Sequence, residues 1–154
     1  MVSLDIGCVR LLERHLHSDP PAAAEMAALR ADVAAHLDRA AGVLDPAAAD
    51  RVVGVAGTVT TVAAVALGLD RYDPRRIHRA TLDAAVIAAT AGKLAAMTVA
   101  ERAALPVMAR GREDVIAAGA LLLDELVARF QIRQVIASET DILDGVLLEL
   151  AERP

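Results

Sequence analysis

Apolar and polar positions alternate from the start of the chain. Val2, Leu4, Ile6 and Cys8 are separated by Ser3, Asp5 and Gly7, with Val9 and Leu11 following. A period of two is the strand signal, so residues 1–16 read as a strand. Ser18-Asp19-Pro20-Pro21 ends it and opens a helix over residues 22–41, because proline is tolerated in a first helical turn. Met26, Leu29, Val33 and Leu37 share one face of that helix, and Gly42 caps it. Asp45-Pro46 and the alanines after them form a short connection or turn. Arg51 to Val55 reads as a short buried strand, Gly54 to Thr58 as a turn, and residues 58–67 as a helix ended by Gly68.

Asp70 to Arg79 is polar and basic, with Pro74 as punctuation. The spacing predicts a helix over residues 81–97, with Leu82, Val86, Ala89 and Leu94 on one face. Thr98 and Glu101 form a capping-box pair for a short helix that Pro106 breaks. The clearest helix is residues 111–130, where Val115, Ile116, Gly119, Leu122, Leu123, Leu126, Val127 and Phe130 follow helical spacing. Residues 132–137 read as a strand. Ser138 with Asp141 caps a last helix whose buried face is Ile142, Leu143, Val146, Leu147 and Leu150. Strands alternating with helices give an α/β class, although three strands are few for an independent sheet.

Composition narrows the partners. The chain has 154 residues, which suits one domain, and is 56% hydrophobic with one Tyr, one Phe and no Trp. The core is therefore built from small and branched aliphatics. Charged residues make up only 24%, which excludes disorder, and the single Cys8 excludes a disulfide scaffold. Cys8 reads as a small buried hydrophobe. Tyr72 and Phe130 are too few to stack single-stranded bases. A net charge of -5 argues against a general nucleic-acid or membrane-surface binder. Val52 to Leu69 is uncharged and reaches roughly the minimum length of a membrane span. Its central glycines and threonines suit a turn better. No signal peptide is visible at Met1, and the expectation is a soluble cytoplasmic protein with no membrane and no nucleic-acid partner. Lys93 is the only lysine among sixteen basic residues, an Arg and Ala bias that fits a GC-rich source.

Three segments carry candidate chemistry. In Arg51-Val52-Val53-Gly54-Val55-Ala56-Gly57-Thr58-Val59-Thr60-Thr61 a strand runs through a glycine turn into a helix. The helix N-terminus offers unpaired N–H groups and a positive dipole end to a phosphate, and Thr58 or Thr60 could donate hydroxyls. It is neither a P-loop nor GxGxxG, and a strand–helix turn with a threonine N-cap explains it equally. In Met108 to Ile116, Arg112 and Asp114 stand at the start of the long helix, where an arginine could clamp an anion or simply sit in a solvated turn. In Ser138-Glu139-Thr140-Asp141-Ile142-Leu143-Asp144-Gly145 the polar groups follow a strand, where α/β proteins bind ligands. Glu139, Asp141 and Asp144 could hold Mg²⁺ through water, or serve as ordinary caps. Arg71, Arg75, Arg76, His78 and Arg79 form a basic cluster that reads first as a solvated loop and second as a local attractor of polyanions. His15 and His17 share a strand face as metal ligands can, but no further ligands complete a zinc site.

Taken in order, Ser3-Leu4-Asp5-Ile6-Gly7-Cys8-Val9-Arg10-Leu11, then Val53 to Val59, then Gly111-Arg112-Glu113-Asp114-Val115-Ile116-Ala117-Ala118-Gly119-Ala120, then Ser138 to Gly145 resemble the exopolyphosphatase / guanosine pentaphosphate phosphohydrolase (Ppx/GppA) family, in an actinobacterial form. The resemblance covers nearly the whole chain. It implies an actin-like ATPase architecture of two RNase H-like lobes with the active site between them. It also implies release of terminal phosphate from inorganic polyphosphate or pppGpp, usually with Mg²⁺. Gly54, Gly57, Thr58 and Thr60 match the glycine–threonine loop that faces the phosphates. Arg112, Glu139 and Asp144 match polar positions near the cleft, and Arg10 reads as structural.

The departures from the family pattern are as informative. The first lobe with its phosphate loop and catalytic glutamate does not match, and neither does the Asp-Ile-Gly-Gly-Gly-Ser-Thr-Glu loop. Asp5-Ile6-Gly7 runs into Cys8-Val9-Arg10 instead. The expectation is a lone C-terminal lobe over residues 1–154, either a separately produced piece or a reading frame that starts too late. That lobe is expected to be inactive, with no catalytic residue, metal ligand or cofactor of its own. It would need the missing N-terminal lobe, and its open sheet edge would favour a homodimer. The alternative is a non-catalytic phosphate-binding or dimerisation module.

Overall fold

The computed structural model describes residues 2–44 and 46–152. Along the chain they form α1 (Cys8–His15), α2 (Ala23–Ala41), β1 (Val53–Gly54), α3 (Ala56–Ala66), α4 (Pro74–Ile77), β2 (Thr81–Asp83), α5 (Ala84–Ala96), α6 (Val99–Ala103), α7 (Ile116–Arg129), β3 (Gln134–Ala137) and α8 (Ile142–Glu152). The α/β class holds, with helix dominating. Met1 and Asp45 lie outside the described residues; Pro46–Ala48 is a short 3₁₀ turn. Among the described residues no helix is long and apolar enough to cross a membrane.

The sheet is small, ordered β1-β3-β2. β1 runs parallel to β3, pairing Val53 with Ile136 and Gly54 with Ala137. β2 is antiparallel to β3, with Leu82 opposite Val135. β1 and β3 thus point their carboxyl ends in one direction. The chain that leads into β2 arrives at that same end, where the Arg79 amide donates to Ala137 O at 2.8 Å.

Helix α7 lies between two apolar clusters. Ile116, Ala120, Leu123 and Val127 pack with α3, α5 and the sheet. Ala118 and Leu121 face Leu11, Leu29, Val33 and Leu37 of α1 and α2. Small side chains allow close helix approach. A methyl group built onto Gly119 would lie 2.7 Å from Thr58 Oγ1 and 3.3 Å from Cys8 Cβ. Only glycine lets α7, α3 and α1 meet there. Arg102 of α6 is 2% exposed and spans the gap to the α7 approach. It donates to the carbonyl oxygens of Met97 (2.6 Å), Leu94 (3.1 Å) and Glu113 (2.7 Å). Three acceptors satisfy a cation that burial otherwise penalises.

Several sequence expectations need correction. Residues 2–7 have no strand partner, and α1 starts at Cys8. The alternation of Val2, Leu4 and Ile6 masked a helical spacing over Cys8, Leu11, Leu12 and Leu16. Cys8 is only half-buried. His15 is therefore on a helix, with Nε2 2.7 Å from Asp32, and exposed His17 lies past its end. The expected buried strand at 51–55 shrinks to two residues, and Val53 and Val55 are about half exposed. Residues 81–83 are strand rather than helix, because Leu82 fills the sheet face and Asp83 accepts from Gln134 Nε2 at 2.7 Å. The buried face of α5 is then Ile87, Thr90, Ala91, Leu94 and Ala95, while Val86 and Ala89 point outward. α7 starts at Ile116, with residues 112–115 forming a turn. The apolar row of α8 is not buried at all: Ile142 is 78% and Leu147 66% exposed. Periodicity identified that face but could not say whether its cover lies in this chain. Caps at Gly42 and at Thr98–Glu101 form as expected.

Two predictions follow from this packing. In Gly119→Ala the gain in helix propensity, about 1 kcal/mol, opposes an overpacking cost of about 1–3 kcal/mol. A net loss of ~1 kcal/mol is expected by denaturant titration. Gly92→Ala on α5, where no atom lies within 4 Å of the added carbon, should instead stabilise. A stabilised Gly119→Ala protein would contradict the contact. The second concerns Asp32, whose carboxyl is held below its usual range, first by its hydrogen bond to His15 and then by Arg14. A depressed carboxylate adds stability above its unfolded pKa and loses it as pH falls through about 4 and below. Asp32→Asn should be less stable than wild type at neutral pH, and the gap should close on acidification. A gap in thermal midpoint that stays constant with pH would refute this.

Candidate functional site

Parallel β1 and β3 deliver two loops to one end of the sheet. The Ser138 amide extends the ladder by donating to Gly54 O at 2.9 Å, so the segments after Gly54 and after Ala137 leave side by side. Gly54 is required there, because a methyl group would lie 2.8 Å from the Val59 side chain. The chain turns into α3 at once. Val55 is the N-cap, and no side chain caps the helix. The expected threonine N-cap is therefore absent. Ala56, the first helical residue, has φ 66°, a left-handed value that costs an alanine roughly 1 kcal/mol. The first-turn N–H groups keep their donor capacity at the positive end of the helix.

Arg112 brings a second positive group to the same helix end. Its guanidinium lies on Gly57: a Cβ there would sit 1.4 Å from Nη1 and 2.0 Å from Cζ. Gly57 thus makes the space in which a planar, permanently charged fork approaches the helix N-terminus. The Arg112 carbonyl accepts from Ile116 N at 2.9 Å, which ties the same residue to the first turn of α7. Arg102 holds the neighbouring Glu113 carbonyl from below.

Thr60 is 4% exposed, and its hydroxyl points back to Gly57 O at 3.5 Å. Tyr72 donates its hydroxyl to Glu139 Oε1 at 2.8 Å. Its phenol is pushed above its ordinary pKa, first by partial burial and then by the Glu139 carboxylate, against the opposing influence of Thr60 and Arg112. The Glu139 amide donates to His78 Nδ1 at 3.3 Å. Gly57, Thr60, Arg112, Tyr72, Glu139 and His78 therefore form one polar cluster from four separate segments.

Two candidates go elsewhere. The Thr58 side chain packs on Gly119. Asp144 accepts the Asp141 amide at 2.8 Å while Asp141 accepts the Leu143 amide at 2.8 Å, a reciprocal cap for α8. Ser138, expected to share that cap, bonds Thr140 instead. Among the described residues no group of three or more His, Cys, Asp or Glu side chains is placed to hold a cation. Tyr72 and Arg102 were missed by sequence reasoning. A lone tyrosine in a polar segment was a usable signal for the first; nothing in the short α6 marked the second. A cavity of about 480 Å³ opens at the opposite, amino ends of β1 and β3, beside Arg51, Phe130 and Arg133. It shares no residue with the cluster, and ligands of open α/β sheets favour the carboxyl ends.

The Ppx/GppA phosphatase family matches residues 1–153. Exopolyphosphatase 2 from Mycobacterium tuberculosis is 42% identical over 153 residues, covering 97% of this chain and 48% of that protein. A crystal structure of an exopolyphosphatase-like protein superposes with a TM-score of 0.94 at 36% identity, covering 99% of this chain and 50% of the other. The Aquifex aeolicus family member superposes at 0.88 with 28% identity, covering 97% and 48% respectively. The chain thus spans about half the length of these relatives. On sequence and on fold it belongs to the Ppx/GppA phosphatase family.

Proposed function

We propose that this chain is the second, C-terminal lobe of a phosphohydrolase that releases terminal phosphate from inorganic polyphosphate or pppGpp, and that it forms one wall of the phosphate site. The observation that carries the reading is the Arg112 guanidinium seated on Gly57 at an uncapped helix N-terminus. Backbone N–H groups, a helix dipole and a fork of donors are gathered there at one helix end. Phosphoryl transfer is mostly positioning plus stabilisation of charge on the phosphoryl oxygens, and these groups supply both. Mycobacterium tuberculosis exopolyphosphatase 2 and the other relatives support the substrate class by name.

These residues do not complete a reaction. Hydrolysis needs a water and a base positioned against the scissile bond. The Glu139 carboxylate accepts the Tyr72 proton, and the Asp144 carboxylate caps α8. Neither set of donors forms a cation cage, so Mg²⁺ is assigned to the complete enzyme and its substrate, and no step is routed through it. In this reading the companion half brings the base, and the exposed apolar row of α8 offers it, or a second copy of this chain, a surface to cover.

The isolated chain, incubated with Mg²⁺ and polyphosphate, is expected to release no phosphate; measurable Mg²⁺-dependent release would overturn the assignment of the chemistry to the companion half. Tripolyphosphate binding by calorimetry tests the cradle itself. Arg112→Ala removes a charge-assisted interaction of about 1.5–3 kcal/mol, a loss on the order of 10- to 100-fold in affinity. Gly57→Ala should weaken binding similarly by displacing the guanidinium, with little change in thermal midpoint. Binding indifferent to both substitutions would reject the site.

A further inference from the structure

Residues 70–79 carry four arginines against two aspartates, a formal charge of +2 in a chain of net charge -5. Arg71, Arg75, Arg76 and Arg79 are exposed, and among the described residues none of them pairs with a carboxylate. Elsewhere, Arg10, Arg14, Arg30, Arg102 and Arg129 each face one. Among the described residues Arg39, Arg51, Arg110, Arg112 and Arg133 also lack a carboxylate partner; Arg112 belongs to the cradle, Arg51 and Arg133 stand at the amino ends of β1 and β3, and Arg39 and Arg110 are single arginines rather than a run.

The segment is tied down rather than free. Ile77 is fully buried beneath it, and Asp73 spends its carboxylate on the Arg75 amide at 3.0 Å. Arg79 has φ 67° and donates its amide to Ala137 O. Tyr72 and His78 grip Glu139 from either end of the segment. The arginines are thereby presented at the carboxyl end of β3, on the rim of the Gly57–Arg112 cradle. We propose that this rim is a track for long linear polyphosphate, holding the chain where it leaves the cradle. The track rests on the phosphate reading of the cradle given above. It fits a ligand without rings: the segment's two aromatic rings, Tyr72 and His78, are both engaged with Glu139, and the segment holds no Phe or Trp to stack bases.

The test uses the 154-residue chain with two probes, long-chain polyphosphate and tripolyphosphate, titrated over a series of salt concentrations. Each phosphate neutralised by an arginine adds roughly 0.7 to the slope of log affinity against log salt. Arg75→Ala with Arg76→Ala is expected to weaken long-chain binding several-fold and to lower its slope by about 1.4, for two lost contacts. Tripolyphosphate binding and the circular dichroism spectrum should not change. Long-chain affinity and slope that stay at wild-type values would overturn the track. So would an equal loss with both probes, or an RNA of matching charge that binds the wild-type chain more tightly. The cradle fails separately: no tripolyphosphate binding, with long-chain binding still dependent on Arg75 and Arg76, supports the track and rejects the site beside it.

Discussion

The close approach of α3 to α7 sets the geometry on which the rest depends. It has two contact points. Thr58 lies on Gly119, one turn inside α7, and Arg112 lies on Gly57, just ahead of α7. Each glycine admits a side chain from the other segment, so the two contacts fix the relative placement of two helix N-termini. A larger residue at Gly119 lifts α3 away; a larger residue at Gly57 lifts Arg112 away. Core packing and the anion cradle are therefore one interaction seen from two sides.

An aliphatic, alanine-rich core makes that approach possible. α7 buries Ala117, Ala118, Gly119 and Ala120 in succession, which leaves no bulky side chain to hold its neighbours off. Rigidity must then come from polar ties at the ends. Arg102 supplies one by donating to carbonyls on both sides of the α5–α7 connection. A buried arginine with several backbone acceptors is costly to break, because losing it leaves those carbonyls unpaired at about 1–3 kcal/mol each. The loop that presents Arg112 is held by backbone chemistry that leaves the Arg112 side chain free to meet a ligand.

The long periodic helices were legible in the sequence. Leu29, Val33 and Leu37 of α2 bury as their spacing implies, as do Ile116, Gly119, Leu123 and Val127 of the α7 stripe, while Val115, Leu122, Leu126 and Phe130 are half-buried. The failures share one cause. Residues 2–7, 51–55 and 81–83 are short, and at that length alternation, helix and loop look alike until a partner strand selects among them. Thr81–Asp83 is strand only because β3 offers it a register. Likewise the row Ile142, Leu143, Val146 and Leu147 was read correctly as a face and wrongly as buried, since burial belongs to the partner and not to the helix.

The candidate site shows the same division. Gly57 and Arg112 were legible as types suited to phosphate, but 55 positions of sequence separate them, and only the glycine contact joins them. Glu139 was legible as an acid after a strand, yet its environment is set by Tyr72 and His78 from a segment that reads as a solvated loop. Asp144 is likewise an acid in the same neighbourhood, and it closes a helix instead. What separates Glu139 from Asp144 is the orientation each receives from its own backbone. Asp144 lies inside the first turn of α8, within reach of the Asp141 amide, and helix geometry claims its carboxylate. Glu139 lies before that turn, at a bend just past β3, where its carboxylate meets the Tyr72 hydroxyl of the arginine-bearing segment. The chemistry of this wall is thus decided less by which charged residues are present than by where helices α3, α7 and α8 begin.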